Sequence, residues 1–380
     1  MAHYQIYAEN DTTLYEKYPN RNTGIDQLLE LVKTNSGSMF QGNMQGNTYN
    51  TRMLINFNGP QLTELSNSIV DGSVGAVDRK FYLNLKNIYA TDLPISYSLH
   101  AHPLSESWDM GQGHFDDTPE SRVGTAWNFR DSYDLNTSWA DTADLPAEAQ
   151  GGGGLSVTSG GGTWYGTSGS AVQSFNNSST DVRMDITNMV NLWLDNTITN
   201  NGLILKQSLP DEASGKTALN LKFFSKETHT VYAPRLEVVW NDYNEYVSPA
   251  SIVSSTANGG PIVYFKNIEE KYPEGSRVRF QLGVRSKYPI KTYTTSSFYA
   301  TDGILTGTSS YAVCDGVTGE TLLDYDDVYT KISNDVNGSY FNYWMNSLSP
   351  ERYYKFKIRS KYSNSEIKYF DNGYYFKVVR

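Results

Sequence analysis

The chain has 380 residues, 38% of them hydrophobic, which is enough for two ordinary cores. Its net charge of −10 is uneven: residues 1–245 hold 15 Lys+Arg against 28 Asp+Glu, and residues 246–380 hold 16 against 13. The acidic first part argues against nucleic acid as a partner, because phosphate binding needs clustered Lys and Arg, and the lone Cys314 excludes an internal disulfide or a cysteine metal cluster.

In chain order, QIYAENDTTLYEKYPNRNTGIDQLLELVK predicts a strand, a turn at Asn20, Asn22 and Gly24, and a second apolar run. TRMLINFN alternates, with Met53, Ile55 and Phe57 on one strand face and Arg52, Leu54 and Asn56 on the other. KFYLNLKNIYA and PISYSLHAHP continue the alternation. A long polar insertion follows, with glycines at 151–154 and 160–162, and its low complexity predicts a surface loop. TWYGTSGSAVQSF restores a strand.

DVRMDITNMVNLWLDNTITNNGLILK then changes period: Ile186, Met189, Val190 and Trp193 fall on one helical stripe, with Asp185 placed as N-cap. Asn200, Asn201 and Gly202 predict a turn needing positive φ, and Leu203 to Leu205 a buried strand. Two more strands, in LKFFSKETHTVYAPRLEVVWND, close the block. Residues 243–260 read as a linker between a domain at 1–242 and one at 261–380.

In the second domain, RVRFQLGVRS places Val278, Phe280, Leu282 and Val284 on one face and Arg277, Arg279, Gln281 and Arg285 on the other. YAVCDGVTGETLLDYD reads as two strands around a Gly turn, YYKFKIRS turns Tyr354, Phe356 and Ile358 inward, and YYFKVVR is a final strand. The pattern predicts an all-β chain of two β-sandwich domains. The short helix is expected to cap an open end of the first sandwich.

YPNRNTG with LLEL, TRMLINF, SESW, GTAWN, D-I-T-x-x-V-x-x-W followed by NNGLILK, and SKETHT…PRLEVVW occur in an order that resembles the DNRLRE-type domain, a jelly-roll β-sandwich often grouped with carbohydrate-binding modules. The likeness covers nearly all of residues 1–240, and the long Gly-rich insertion departs from the family's usual spacing. Leu348, Pro350 and Tyr354 form an L-x-P-x-x-x-Y arrangement similar to the tyrosine corner of fibronectin type III and immunoglobulin-like sandwiches. The pairing of two such domains is similar to virion structural proteins of large tailed bacteriophages. That resemblance implies a non-enzymatic structural component of the tail, neck or an appendage. Its partners would be other virion proteins and its own copies.

Candidate sites are few. Trp108, Trp139, Trp164 and Tyr165 are the candidates for stacking on a sugar of a cell-surface glycan, the rival reading, while Trp127 and Trp164, beside strands, serve equally as core, and core or interface is the favoured reading of the set. Trp193 and Trp240 are expected to be buried. His100 and His102 share a strand face, with His114, Asp116 and Asp117 further on, but nothing fixes a metal geometry. Asp324, Asp326 and Asp327 read as solvated turn acids, and without D-x-D-x-D-G spacing no calcium ligands are assigned and no cofactor is implied. GTSGS at 166–170 is out of phase with a nucleophile elbow, so no catalytic group is expected. No apolar run is long enough to cross a bilayer, and MAHYQIYAEN lacks the features of an export signal. The expected location is the virion, after synthesis in the host cytoplasm.

Overall fold

The computed structural model describes residues 2–35, 39–40, 43–44, 48–57, 59–132, 137–140, 160–176, 180–214, 219–243, 252–253, 255–256, 259–288, 303–363 and 365–380. The protein is all-β, 46% strand and 9% helix, built from several sheets in a sandwich fold. It divides into two compact units. The N-terminal unit comprises Ile6–Asn67 and Lys80–Glu237; the C-terminal unit comprises Met1–Gln5, Ser68–Arg79 and Val238–Arg380. The second unit therefore draws three short segments, Met1–Gln5, Ser68–Arg79 and residues 238–242, from the block that the sequence reading placed wholly in the first domain. Glycines 151–154 and most of the expected linker lie outside the described residues.

In the N-terminal unit an eight-stranded sheet runs in the order Ala171–Asn176, Ser96–Pro103, Leu203–Gln207, Thr48–Asn56, Leu28–Asn35, Leu219–Phe224 and Asn87–Thr91, with Asn10–Tyr15 also paired to Thr48–Asn56. A four-stranded sheet runs Ala2–Tyr7, Arg235–Trp240, Lys80–Leu85 and Val182–Asp185; its first two strands have residues in both units. The apolar alternation is realised as expected: Met53, Ile55, Leu99, Leu203 and Leu205 are buried, as are Leu83, Leu85, Met184 and Leu236. Gly202 makes the predicted turn at φ +87°, and a Cβ there would lie 2.5 Å from the Ile55 carbonyl oxygen, so no other residue fits without a shift.

Among the described residues there are three α-helices where one was expected. α1 (Pro60–Val70) starts on Pro60 and buries Leu62 and Leu65; Gly72, at φ +80°, follows its end. α2 (Thr187–Leu194) buries Met189, Val190 and Trp193. Its N-cap position is Ile186 rather than Asp185, although the Asp185 carboxylate still accepts from the Thr187 N–H at 3.0 Å. The Ile186 N–H donates to the Phe81 carbonyl, seating α2 at the start of Lys80–Leu85. α3 (Leu209–Ala213) is capped by Ser208, whose hydroxyl accepts from the Asp211 N–H.

The C-terminal unit is a sandwich of its own. One sheet runs Pro261–Phe265, Arg277–Ser286, Gly338–Trp344 and Ser333–Asp335; the other runs Lys271–Pro273, Tyr375–Val379, Tyr353–Ser363, Ser309–Asp315 and Thr321–Leu323, with Glu366–Phe370 also on Tyr353–Ser363. Rings from both sheets meet between them: Tyr311 stacks on Phe341 at 4.2 Å, and Phe280 lies 4.7 Å from Phe356. Each fully buried Phe contributes about 1.5–3 kcal/mol through removal from water. Tyr354 is buried and its hydroxyl donates to the Ser349 carbonyl at 2.8 Å, the corner bond that Leu348, Pro350 and Tyr354 predict. Buried Tyr4 also belongs to this unit and accepts from the Asn346 amide at 2.7 Å.

Candidate functional site

Alternation places Arg52 and Leu54 on the strand face opposite Met53 and Ile55, and register carries that face across the sheet. Lys206 lies opposite His100, and Ile204 lies opposite both His102 and Leu54. The face would be solvated in a simple two-layer sandwich. Here the polar insertion folds over it. Trp127, Trp139 and Trp164 join Leu14, Leu54, Leu104 and Ile204 in one buried cluster, with Trp108 packed against it. Gly161 and Gly162, expected in a surface loop, are buried.

Asn22 holds part of this cover in place. Its amide donates to the Met110 and Thr125 carbonyls at 2.8 Å each, and its oxygen accepts from the Gly113 N–H at 2.8 Å. The covering segment can then pass close to itself at Gly111, φ +75°, where a Cβ would meet the Val123 oxygen at 2.2 Å.

Burying Arg52 and Lys206 on one face requires a counter-charge. Glu212, brought in by α3, supplies it: Arg52 Nε and Nη2 donate to its two oxygens at 3.0 and 2.8 Å, and Lys206 Nζ lies 3.2 Å from the second. Arg52 also donates to the Gly161 carbonyl, and its guanidinium lies between the rings of Trp127 and Trp164 at 4.8 and 5.0 Å. Burial raises the Glu212 carboxyl, but Arg52 and Lys206 outweigh this and hold it below its ordinary value. Burial lowers the Lys206 ammonium to about 8, against the opposing pull of Glu212.

Beside this network is a pocket of about 250 Å³ lined by His100, His102, Trp164, Lys206, Ser170 and Leu209 among others. The two imidazoles stack at 6.3 Å. His102 Nδ1 lies 3.1 Å from the Tyr165 carbonyl, which can only accept, so Nδ1 carries the proton. Burial first, then Lys206 and His100, push His102 down to about 4, leaving a neutral ring. The pocket can recognise a polar group, but His102 is not poised for proton transfer near neutrality.

The sequence candidates therefore separate. Trp139 and Trp164 are closed to a sugar ring because both are buried, and Trp139 donates to the Ala126 carbonyl at 3.0 Å. Trp108 and Tyr165 are half-buried; Trp108 donates to the Asn201 carbonyl at 2.9 Å. His114 pairs with Asp26 at 3.2 Å. Asp324 and Asp326 accept backbone N–H groups in their own turn, and Asp327 pairs with Arg359 and Lys361. Among the described residues no group of three or more His, Cys, Asp or Glu could hold a metal ion. The sequence places Arg52 on a strand face opposite Met53 and Ile55, but neither Lys206 nor Glu212 stands out in it. The available signal was a cation inside each of two strands with apolar neighbours, TRMLINF and GLILK.

The C-terminal unit offers a different kind of surface. In Tyr353–Ser363, Tyr354, Phe356 and Ile358 point inward, so Tyr353, Lys355, Lys357, Arg359 and Lys361 face out. Register adds Tyr375 opposite Lys355, Lys377 opposite Tyr353, Tyr369 opposite Arg359 and Ile367 opposite Lys361. Tyr353 is 50% and Tyr369 63% exposed, and Ile367 and Tyr375 are exposed as well. Cations flank the rings, with Arg359 4.9 Å from Tyr325 and Lys355 5.7 Å from Tyr375. No family model, characterised protein or solved structure matches the chain.

Proposed function

We propose that this chain is a non-enzymatic structural component of a tailed-bacteriophage particle, in the tail, neck or an appendage, acting through protein–protein contacts in a symmetric assembly. The observation that carries the reading is the outward sheet face of the C-terminal unit, where Tyr353, Ile367, Tyr369 and Tyr375 are exposed among lysines and Arg359. Tyrosines are enriched at interface cores because they bring large area at low entropic cost, and flanking cations give a polar rim. The resemblance of the domain pairing to phage virion proteins supplies the setting. Partners would be other virion proteins and copies of this chain, with synthesis in the host cytoplasm.

The alternative is a carbohydrate-binding module that recognises a host surface. The pocket beside His100 and His102 favours it, because neutral imidazoles accept hydrogen bonds from hydroxyls. Immunogold labelling of purified particles with antibody against this chain separates the two. Gold at one fixed position supports the structural role. Unlabelled particles, with the chain free in the lysate, would remove it.

A further inference from the structure

A second pocket of the N-terminal unit, of about 220 Å³, is lined by Tyr15, Tyr18, Tyr49, Phe115, Glu30 and Lys17 among others, with Lys17 Nζ 5.6 Å from the Tyr18 ring. Phe115 comes from the covering segment and is fixed at its backbone: its N–H donates to Asp26 Oδ1 at 3.1 Å, and its carbonyl accepts from Arg21 Nη1 at 2.7 Å. Its ring lies 4.9 Å from that of Tyr15 and edge-on to Tyr18 at 5.4 Å. The aromatic wall is thus assembled before any ligand arrives.

Several polar groups lining this pocket are engaged already. The Tyr15 hydroxyl donates to Glu30 at 2.9 Å, Thr51 Oγ1 donates to the Glu30 carbonyl and accepts from the Val32 N–H, and the Asn50 backbone and amide N–H groups donate to Glu16. What the pocket offers is ring surface. The same rings already receive a cation: the Arg21 guanidinium lies 4.9 Å from the centroids of both Tyr18 and Phe115, and it is not among the groups lining the pocket. Glu30 adds negative charge; one oxygen pairs with Lys222 at 2.5 Å, and the side chain remains 21% exposed. Burial and then Glu30 push the Tyr15 phenol well above its usual value.

We propose that this pocket binds an organic cation of the quaternary or methylated ammonium class. Such a cation is weakly hydrated, needs no directional hydrogen bond, and gains from several ring faces at once. It could be carried on a methylated lysine or on a choline headgroup. The inference does not depend on the virion reading.

The test is calorimetric titration of the full chain with choline and with its neutral carbon isostere, 3,3-dimethylbutan-1-ol. Choline should bind at least about tenfold more tightly, since a desolvated cation–π contact contributes about 2 kcal/mol. Phe115→Leu, which keeps apolar bulk and removes the ring, and Tyr49→Ala should each weaken choline about tenfold, with the melting curve confirming a folded chain. Parallel titrations with trimethyllysine and phosphocholine identify which carrier is preferred, and tighter binding of either supports the site. Equal affinity for the isostere, undetectable choline binding, or unchanged affinity in a folded Phe115→Leu chain would overturn it.

Discussion

The two units use similar residue types in opposite places. The N-terminal unit buries charge: Arg52, Lys206 and Glu212 sit among Trp127 and Trp164 beneath a covering segment. The C-terminal unit fills its interior with Phe and Tyr rings and leaves its cations on an outward face, paired with Asp327 and Asp371. The difference lies in what the outer face of each sheet meets. Where a segment folds over it, every cation needs an internal partner; where water remains, the pairs are screened and serve recognition rather than stability.

The strongest way to break this contrast is Glu212→Gln, which leaves two buried cations without their carboxylate. The expected loss is about 3–5 kcal/mol by chemical denaturation. A loss under about 1 kcal/mol would mean that water reaches the cluster and that the first unit is no different from the second.

A pH experiment sharpens the contrast. Burial pushes the Asp11 carboxyl up to about 7, so between the ordinary 3.8 and 7 the folded chain keeps a proton that the unfolded chain has lost, and stability falls as pH rises. His102, pushed down to about 4, acts in the opposite sense: from 4 to its ordinary 6.5 the unfolded chain holds more protons, and stability rises. The two slopes oppose each other in the native chain. Asp11→Asn removes the falling one, so melting temperatures of the variant should climb from pH 4 to 6.5 more steeply than those of the native chain. Parallel curves would contradict the burial of Asp11.

The smallest effect is expected at the outward face. Asp371→Asn breaks the 2.8 Å pair with Lys355, in which the aspartate side chain is 40% exposed. Denaturation should register a change within about 1 kcal/mol. A larger loss would show that this face contributes to the fold as well as to contact.

Much of the fold was legible because alternation and helical stripe are local. Tyr354 with Leu348, the Ile186 to Trp193 stripe and the Gly202 turn were all readable within a dozen residues. α1 was equally local, with Pro60 at its start and Leu62 and Leu65 inward, and its place in NGPQLTELSNSIV was passed over. The candidate site was not local. Arg52 meets Glu212 across 160 positions and Gly161 across 109, so the sequence around Arg52 shows an ordinary outward residue. Trp164 lies beside a strand, which already favours a core place for it, whereas nothing near Trp139 in the sequence reveals that it packs in the same buried cluster. Strand phase did turn Tyr354, Phe356 and Ile358 inward, as the burial of that strand shows.

The bond between Asn346 and Tyr4 spans 342 positions of chain. On a ribosome adding about 5–20 residues per second, Tyr4 is made roughly 20 to 70 s before its partner. The C-terminal unit therefore cannot be completed as a late, self-sufficient block. It closes around a segment that emerges well before its partner and has to stay available until Asn346 is made.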